Sequence, residues 1–444
     1  MSSNRPFGLI EFLFGDLPIK FMKKVLFIAY LYPPIANSGT RRSLEFVNYL
    51  PDYGWKPIVL TVANPSLKSC ELSLLDEVRP GTCIERAPLW SDLLAEKIAN
   101  IFGRFIDRTW VAKGLKYRIQ GLLQVPDECA AWWPTAIRRA EEIFRREGFD
   151  AIYASGWPWT SFMIAAEVSR RTGRPYVVDY RDLWTSYGDV EWDKKTLLQR
   201  WFGPILEKYV LRKASAIVAT TSSFIKILEE SVKKEKMVCI TNGFDPDDFR
   251  NPPNPDCSQR DHFVRVVYTG VWRPGYGPDD LYRAVRHLKG INSNYIQRLK
   301  VIVAGYPCGQ AREYGVDDVI EELGPIPHAR AVDLMMSANA LYLPVSKGVY
   351  EKASIPGKLF EYIGSGRPIL ASVEPDSEVA AVLASVGGAC SVLPGDFQEL
   401  ADSLHAMCSR DDDDLFTARH TDAVAQYTRK GLTYKLATLL DTIA

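Results

Sequence analysis

Two Rossmann-like, doubly wound α/β domains with parallel sheets, facing a central cleft, are the fold class that this sequence predicts. Three observations predict it. Short, continuously apolar segments alternate with longer amphipathic ones along the chain, the pattern of strands buried on both faces of a parallel sheet and joined by helices. A proline-rich break, NPPNPDCSQRDHF at 251–263, separates two such series. At 444 residues the chain is too long for one core, so two domains are expected.

The first series opens with KVLFIAY (24–30), a turn running through Pro33 and Pro34 to Gly39, and the amphipathic stretch TRRSLEFVNYLPDYG, which together read as strand, loop and helix. PIVLTV (57–62), DAIYAS (150–155), PYVVDY (175–180), AIVATT (216–221) and MVCITNGFD (237–245) follow as strands. The second series consists of VRVVYTG (264–270), LKVIVAG (299–305), ALYLPV (340–345), RPILASV (367–373) and ACSVL (389–393), with helices such as DDLYRAVRHL between them. The expected domains are 1–255 and 262–425, followed by a last helix in 427–444 that packs back toward the first domain. Residues 1–22 read either as a disordered or surface-docking lead or as an over-extended start, with Met22 the true one. Ligands of doubly wound sheets sit beyond the C-terminal strand ends at the switch point, which places the site in the cleft.

Composition narrows the class. Hydrophobic residues make up 47% and charged residues 24%, as in ordinary folded proteins. Lys plus Arg equals Asp plus Glu at 54 each, which disfavours a globally basic nucleic-acid binder. The balance is a cancellation: residues 1–260 hold 36 basic against 31 acidic side chains, and 261–444 hold 18 against 23. The eight cysteines form no C-x-x-C pair and no zinc-spaced cluster, so a reducing cytoplasm is expected. Apolar stretches fall short of the roughly 20 residues of a membrane span, and the N-terminus makes a poor signal peptide. Asp245-Pro246-Asp247 reads as a turn in which Asp caps the backbone, not as a metal site. No G-x-G-x-x-G follows the first strand and no P-loop occurs, which disfavours dinucleotide and P-loop enzymes.

The sharpest constellation is SKGVYEKASIPGKLFEYIGSGRPILAS at 346–372. Ser354 to Gly357 form a loop and Lys358 opens a helix. Backbone amides at a helix start, the positive end of the dipole and Lys358 suit a diphosphate, and Glu361 can accept from two hydroxyls of a ribose. The alternative is a Pro-Gly turn before an ordinary helix with a solvated Lys and Glu. A second feature, 95–118, mixes Ile101, Phe102, Phe105 and Trp110 with Lys97, Arg104, Arg108 and Lys113. It suits either an anionic membrane surface or packing on its own domain with the cations in water.

The 346–372 stretch resembles the donor-site motif of family 4 retaining glycosyltransferases of GT-B fold, in the branch that reads P-x-K-x-F-E-Y followed by G-x-P-I. KKVLFIAYLYPPIANSGTRRSLEF, VVDYRDLW, ITNGFDPDDF and VVYTGVWRPGYGPDDLYRAV resemble further elements of that family in the same order. The resemblance implies transfer of a sugar from a nucleotide-sugar to an acceptor hydroxyl with retention, in cell-surface polysaccharide or glycolipid synthesis. It implies a cytoplasmic enzyme, peripheral on the inner membrane face where 95–118 docks, with no cofactor and no metal. The partners are the donor and a sugar or lipid-linked acceptor, not nucleic acid.

Position by position, the resemblance assigns Glu361 to the nucleotide ribose and the amides of Gly357, Lys358 and Leu359 to the diphosphate. Gly39 matches the glycine over which backbone and donor phosphate approach, the absence of a side chain making room. Arg273 matches the arginine that holds the leaving diphosphate, while the accompanying lysine is expected close to Tyr276, and Lys358 can compensate as a flexible point charge. The first Glu of the family's Glu-x7-Glu pattern falls on Ala353, and Glu351 is out of register. Asp182 either orients the acceptor hydroxyl or stabilises charge at the anomeric carbon. Alternatively, Arg181 pairs with Asp179 and Asp182 to lock the loop. Arg41 and Arg42 meet either an anionic acceptor or solvent. All five histidines lie in the second half, so none from the first domain is available for acid/base work. The rival functions are a nucleotide-sugar epimerase of similar fold and an inactive GT-B binding or assembly protein, the latter suggested by Ala353 and the absent second cation.

Overall fold

The computed structural model describes residues 22–64, 70–93, 124–186, 195–251, 262–270, 277–291, 295–305, 308–409 and 415–444. The lead before Met22, the 95–118 segment, Arg273, Tyr276 and the acidic run Asp411 to Asp414 lie outside these residues.

The first series folds as β1 (Lys23–Ile28), α1 (Ser38–Tyr49), β2 (Trp55–Val62), β3 (Cys83–Ala87), α2 (Trp133–Glu147), β4 (Ala151–Gly156), α3 (Thr160–Thr172), β5 (Tyr176–Tyr180), α4 (Leu197–Lys213), β6 (Ala216–Ala219), α5 (Ser222–Leu228) and β7 (Met237–Cys239). The second is β8 (Val264–Thr269), α6 (Asp279–Gly290), β9 (Leu299–Ala304), α7 (Gln310–Tyr314), β10 (Ile320–Gly324), α8 (His328–Ser337), β11 (Ala340–Pro344), α9 (Val349–Ala353), α10 (Lys358–Ser365), β12 (Ile369–Ser372), α11 (Glu378–Val386), β13 (Ala389–Val392) and α12 (Phe397–Ser409). Helices α13 (Thr421–Ala425) and α14 (Arg429–Ile443) follow.

The strands form two sheets, ordered β3-β2-β1-β4-β5-β6-β7 and β10-β9-β8-β11-β12-β13. Neighbours run parallel throughout. The order reverses between β1 and β4 in one sheet and between β8 and β11 in the other, so each sheet has a switch point where a crevice opens. Side chains of β1, β4, β5 and β6 are buried on both faces, which is why these strands read as unbroken apolar runs. The edge strands β3 (CIERA) and β10 (IEELG) were not predicted. Their charged residues suit an edge that meets water and break the apolar run on which the prediction depends.

Local sequence explains the starts of the main helices. Asn37 caps α1 by accepting from the Gly39 amide, and Thr428 caps α14 by accepting from the Gly431 amide. Helix α14 buries Leu432, Leu436, Ala437 and Leu440 in one cluster with Val25, Phe27 and Leu44 of the first domain. Gly243 makes this return possible: a Cβ there would lie 2.3 Å from the Tyr427 carbonyl oxygen, so only glycine lets the two backbones approach.

Candidate functional site

The described residues predicted for the site sit at the C-terminal ends of the two sheets, and direct hydrogen bonds join the two sides. Tyr350, on α9 of the second domain, donates its hydroxyl to Asp182 just after β5 of the first, at 2.8 Å. Nearby, the Thr221 hydroxyl donates to the Ala353 carbonyl at 2.8 Å. Ala353 is therefore buried against the first domain. Glu351 folds back over Gly348, whose added Cβ would lie 2.0 Å from the Glu351 Oε2.

Lys358 begins α10 and reaches back over the end of β8. Its Nζ lies 3.1 Å from the Tyr268 hydroxyl and 4.2 Å from that ring's centroid. A Cβ on Gly270 would meet this Nζ at 2.5 Å. Burial lowers the Lys358 ammonium to about 8, partly offset by the nearby Glu361 carboxylate. A cation so desolvated is primed for an anion, because pairing restores what burial removed.

At the head of the same helix, Gly357 is exposed with open space around its Cβ position. The Leu359 amide, expected to face a diphosphate, instead donates to the Pro356 carbonyl at 3.1 Å, and the Leu359 side chain is fully buried. The turn Pro356–Leu359 uses that amide to close itself, so Gly357 and Lys358 are left to head the helix.

Glu361, one turn further on, has its Oε1 3.1 Å from the Nε2 of His328, the first residue of α8. The hydrogen bond to Glu361 raises the His328 imidazole above its ordinary value, against the opposing effect of burial. Glu45, on α1, is pushed up to about 7 by burial, and Arg429 is drawn down to about 10 for the same reason. Asp248 is likewise raised by burial, with His328 opposing. These groups interact electrostatically with one another and with Glu361, forming a polar cluster contributed by both domains and by α14.

In the first domain, the guanidinium of Arg181 occupies the space over Gly39. A Cβ on Gly39 would lie 1.7 Å from its Nη1. Arg181 donates to the carbonyls of Gly156 and Trp157 rather than closing an ion pair with Asp179 and Asp182, which corrects the expected loop lock. Asp179 pairs instead with Arg42, which donates to both carboxylate oxygens at 2.8 Å and to the carbonyls of Ile240 and Thr241 at 2.8 and 2.7 Å. Both side chains are buried. Arg42 therefore meets neither acceptor nor solvent: it joins α1, β5 and the end of β7, and Arg41 pairs with Glu77. Asp245 caps its own turn by accepting from the Asp247 amide at 3.0 Å and also takes the Tyr49 hydroxyl at 2.7 Å.

Asp182 lines a cavity of about 370 Å³ together with Asp127, Trp157, Trp184, Lys195 and Gln199. Trp159, also in its wall, stacks on Trp184 with centroids 5.6 Å apart and planes 8° off parallel. Aromatic faces beside carboxylates suit a polar ring with apolar C–H faces. A larger cavity, of about 490 Å³, lies between α6 and Phe397 and includes none of the predicted residues.

Sequence reasoning missed His328, Arg429, Glu45, Tyr268 and Tyr350. For His328 a signal existed: it follows Gly324-Pro325-Ile326-Pro327 at the C-terminal end of β10, where functional groups gather in this architecture. The unpredicted edge strand hid it.

Residues 108–243 match the model of the glycosyl transferase 4-like domain. Among curated proteins, the chain is 23% identical over 238 residues to D-inositol 3-phosphate glycosyltransferase of Stackebrandtia nassauensis, a match that covers 50% of this chain and 53% of that protein. Sucrose-phosphate synthase of Thermosynechococcus elongatus superposes with a TM-score of 0.63 at 14% identity, covering 95% of this chain and 98% of its own. The Anabaena protein HepE in complex with UDP gives 0.60 at 14%, covering 95% and 100%. The chain has the GT-B fold, and within it residues 108–243 match the glycosyl transferase 4-like domain.

Proposed function

We propose that this protein is a retaining glycosyltransferase that moves a sugar from a nucleotide-sugar to an acceptor hydroxyl in cell-surface polysaccharide or glycolipid synthesis. The observation that carries the reading is the pairing on α10 of Lys358 and Glu361, a half-buried cation and a hydrogen-bonded carboxylate one turn apart, at the C-terminal edge of the second sheet. A cation and a carboxylate on one helix suit a diphosphate and the hydroxyls of the ribose attached to it. HepE, with the same fold, is bound to UDP, which supports a nucleotide donor here.

In this reading the donor lies along the head of α10. Lys358 neutralises the diphosphate, joined by Arg273, and Gly357 lets the phosphate approach the helix start. Glu361, its orientation fixed by His328, accepts from the ribose hydroxyls. Arg181, above Gly39, supplies positive charge from the opposite wall. The acceptor enters from the Asp182 cavity, and Asp182 orients its hydroxyl. The anomeric carbon–oxygen bond to the diphosphate breaks and the acceptor oxygen bonds to the same face of the sugar. The acceptor proton passes to the departing phosphate oxygen, so atoms and charge balance without a protein nucleophile. The protein contributes position and charge stabilisation. The acceptor is a sugar or lipid-linked sugar, and an anionic membrane is the expected setting, with 95–118 as one contact.

Calorimetric titration with UDP and with GDP tests the donor site. One of them is expected to bind, with affinity lowered in Glu361→Ala. Binding of neither, or unchanged affinity in the variant, overturns the assignment.

A further inference from the structure

Helix α4 presents apolar side chains on its outer face. Leu197, Leu198, Trp201, Phe202, Ile205 and Tyr209 are exposed, Trp201 by 76% and Leu197 by 73%. The face turned to the domain buries Gly203, Glu207, Val210 and Leu211. At about 100° per residue the six exposed side chains fall within an arc of roughly 140°. Exposed apolar clusters of this extent mark interaction surfaces.

The charges on this helix narrow the partner. Lys208, Arg212 and Lys213 lie within or beside the same arc and are exposed. The one acid of the helix, Glu207, is turned inward, where the Thr185 hydroxyl donates to it. The outer face is thus apolar and cationic, with no carboxylate. A second copy of the face, set against it by a two-fold axis, offers these cations no carboxylate: an antiparallel pair sets Lys208 and Arg212 on the apolar first turns, and a parallel pair sets cation against cation. The chain's own 94–123 segment has six basic and two acidic residues and would be repelled in the same way. An anionic lipid surface satisfies both features: aromatic and aliphatic side chains enter the headgroup boundary while lysine and arginine meet phosphate. With 17 residues, the helix is about 25 Å long and lies in the surface rather than across it, and no described helix is long and apolar enough to cross a membrane.

We propose that the outer face of α4 is a membrane-contact surface that seats this protein on anionic phospholipid and holds the mouth of the Asp182 cavity at the lipid plane. Gln199 in the first turn of α4 and Lys195 just before it line that cavity, beside Leu197 and Leu198. An acceptor carried on a lipid would then enter the cavity without leaving the surface. Only this last step rests on the transferase reading.

Co-sedimentation of the full chain with phosphatidylglycerol-containing vesicles, against vesicles of phosphatidylcholine alone, tests the surface. The wild type is expected to pellet with the anionic vesicles and to be released by salt. Lys208→Gln with Arg212→Gln is expected to weaken partitioning roughly 25-fold, at about fivefold per cation. Trp201→Ser with Ile205→Ser is expected to weaken it at least about tenfold. All four positions are exposed, so the thermal midpoint and the UDP affinity should stay at their wild-type values. Equal binding to neutral vesicles, or wild-type partitioning of both variants, overturns the proposal. So does conversion of a dimer to a monomer by Trp201→Ser with Ile205→Ser in the absence of lipid, which would make the face an interface between copies. Loss of UDP binding in the wild type, with vesicle binding intact, would strike the transferase reading and leave this surface standing.

Discussion

His328 Nε2 lies 3.1 Å from Glu361 Oε1, so the carboxylate assigned to a ribose is held by an imidazole from a different helix. The bond raises the His328 folded-state value above its unfolded one. Its contribution is therefore fully present below the unfolded value, roughly pH 6.5, and is lost as pH rises through the raised folded value. Each side chain is about one-third exposed, and the pair is worth less than about 1 kcal/mol. Urea unfolding of wild type and His328→Gln should differ most near pH 6 and converge near pH 9, values chosen about the ordinary imidazole range. The same difference at both pH values would refute the linkage.

Lys358 has the opposite sign. Burial lowers its ammonium to about 8, below the roughly 10.4 of an unfolded lysine. The unfolded chain binds more protons between these values, so this group makes stability rise with pH across that window. A diphosphate beside it would stabilise the charged form, and binding of UDP at about pH 8.5 should take up a proton. Calorimetry in two buffers of different ionisation enthalpy measures that uptake. It should vanish in Lys358→Ala, with affinity falling roughly 10- to 100-fold, the usual range for a charge-assisted hydrogen bond.

Gly39→Ala places a methyl group where the Arg181 guanidinium now lies. The side chain must swing away and give up its hydrogen bonds to Gly156 and Trp157, at a cost of about 1–3 kcal/mol. In an Arg181→Ala background the same substitution should cost close to nothing, since the obstructing group is gone. A double-mutant cycle by denaturant unfolding reads this coupling, and additive losses would rule it out.

Asp179→Ala should be the most destabilising of these changes. It leaves Arg42 buried without its counter-charge, a loss of about 3–5 kcal/mol. Denaturant unfolding should show the midpoint falling with little change in slope. A loss under about 1 kcal/mol would mean that the carbonyls of Ile240 and Thr241 suffice to hold the guanidinium.

Legibility in the sequence followed burial. Strands such as β4 and β5 are covered on both faces and announce themselves as apolar runs, whereas CIERA and IEELG meet water at sheet edges and do not. The helix start at Lys358 was readable because Ser354-Ile355-Pro356-Gly357 cannot continue a helix and the residues after it can. The roles of Asp179 and Arg181 were not readable. Three residues of one motif, DYR, send their side chains to unrelated partners: Asp179 to Arg42 from α1, Tyr180 into the core, Arg181 over Gly39. Alternation along a strand sends neighbours to opposite faces, but what waits on each face depends on helices far away in the chain.

Two parallel sheets, the break between them and the placing of Lys358 and Glu361 on one helix are legible in the chain alone, because periodicity, turn chemistry and a three-residue spacing are local properties. Tertiary structure decided that His328 holds Glu361, that Tyr268 and Gly270 receive the Lys358 ammonium, and that Tyr350 crosses to Asp182. It also decided that the apolar side of α4 faces outward. The helix pattern alone shows that such a side exists, but which side meets the domain is settled by the wall it packs on, where Thr185 receives Glu207 and leaves Trp201 outside.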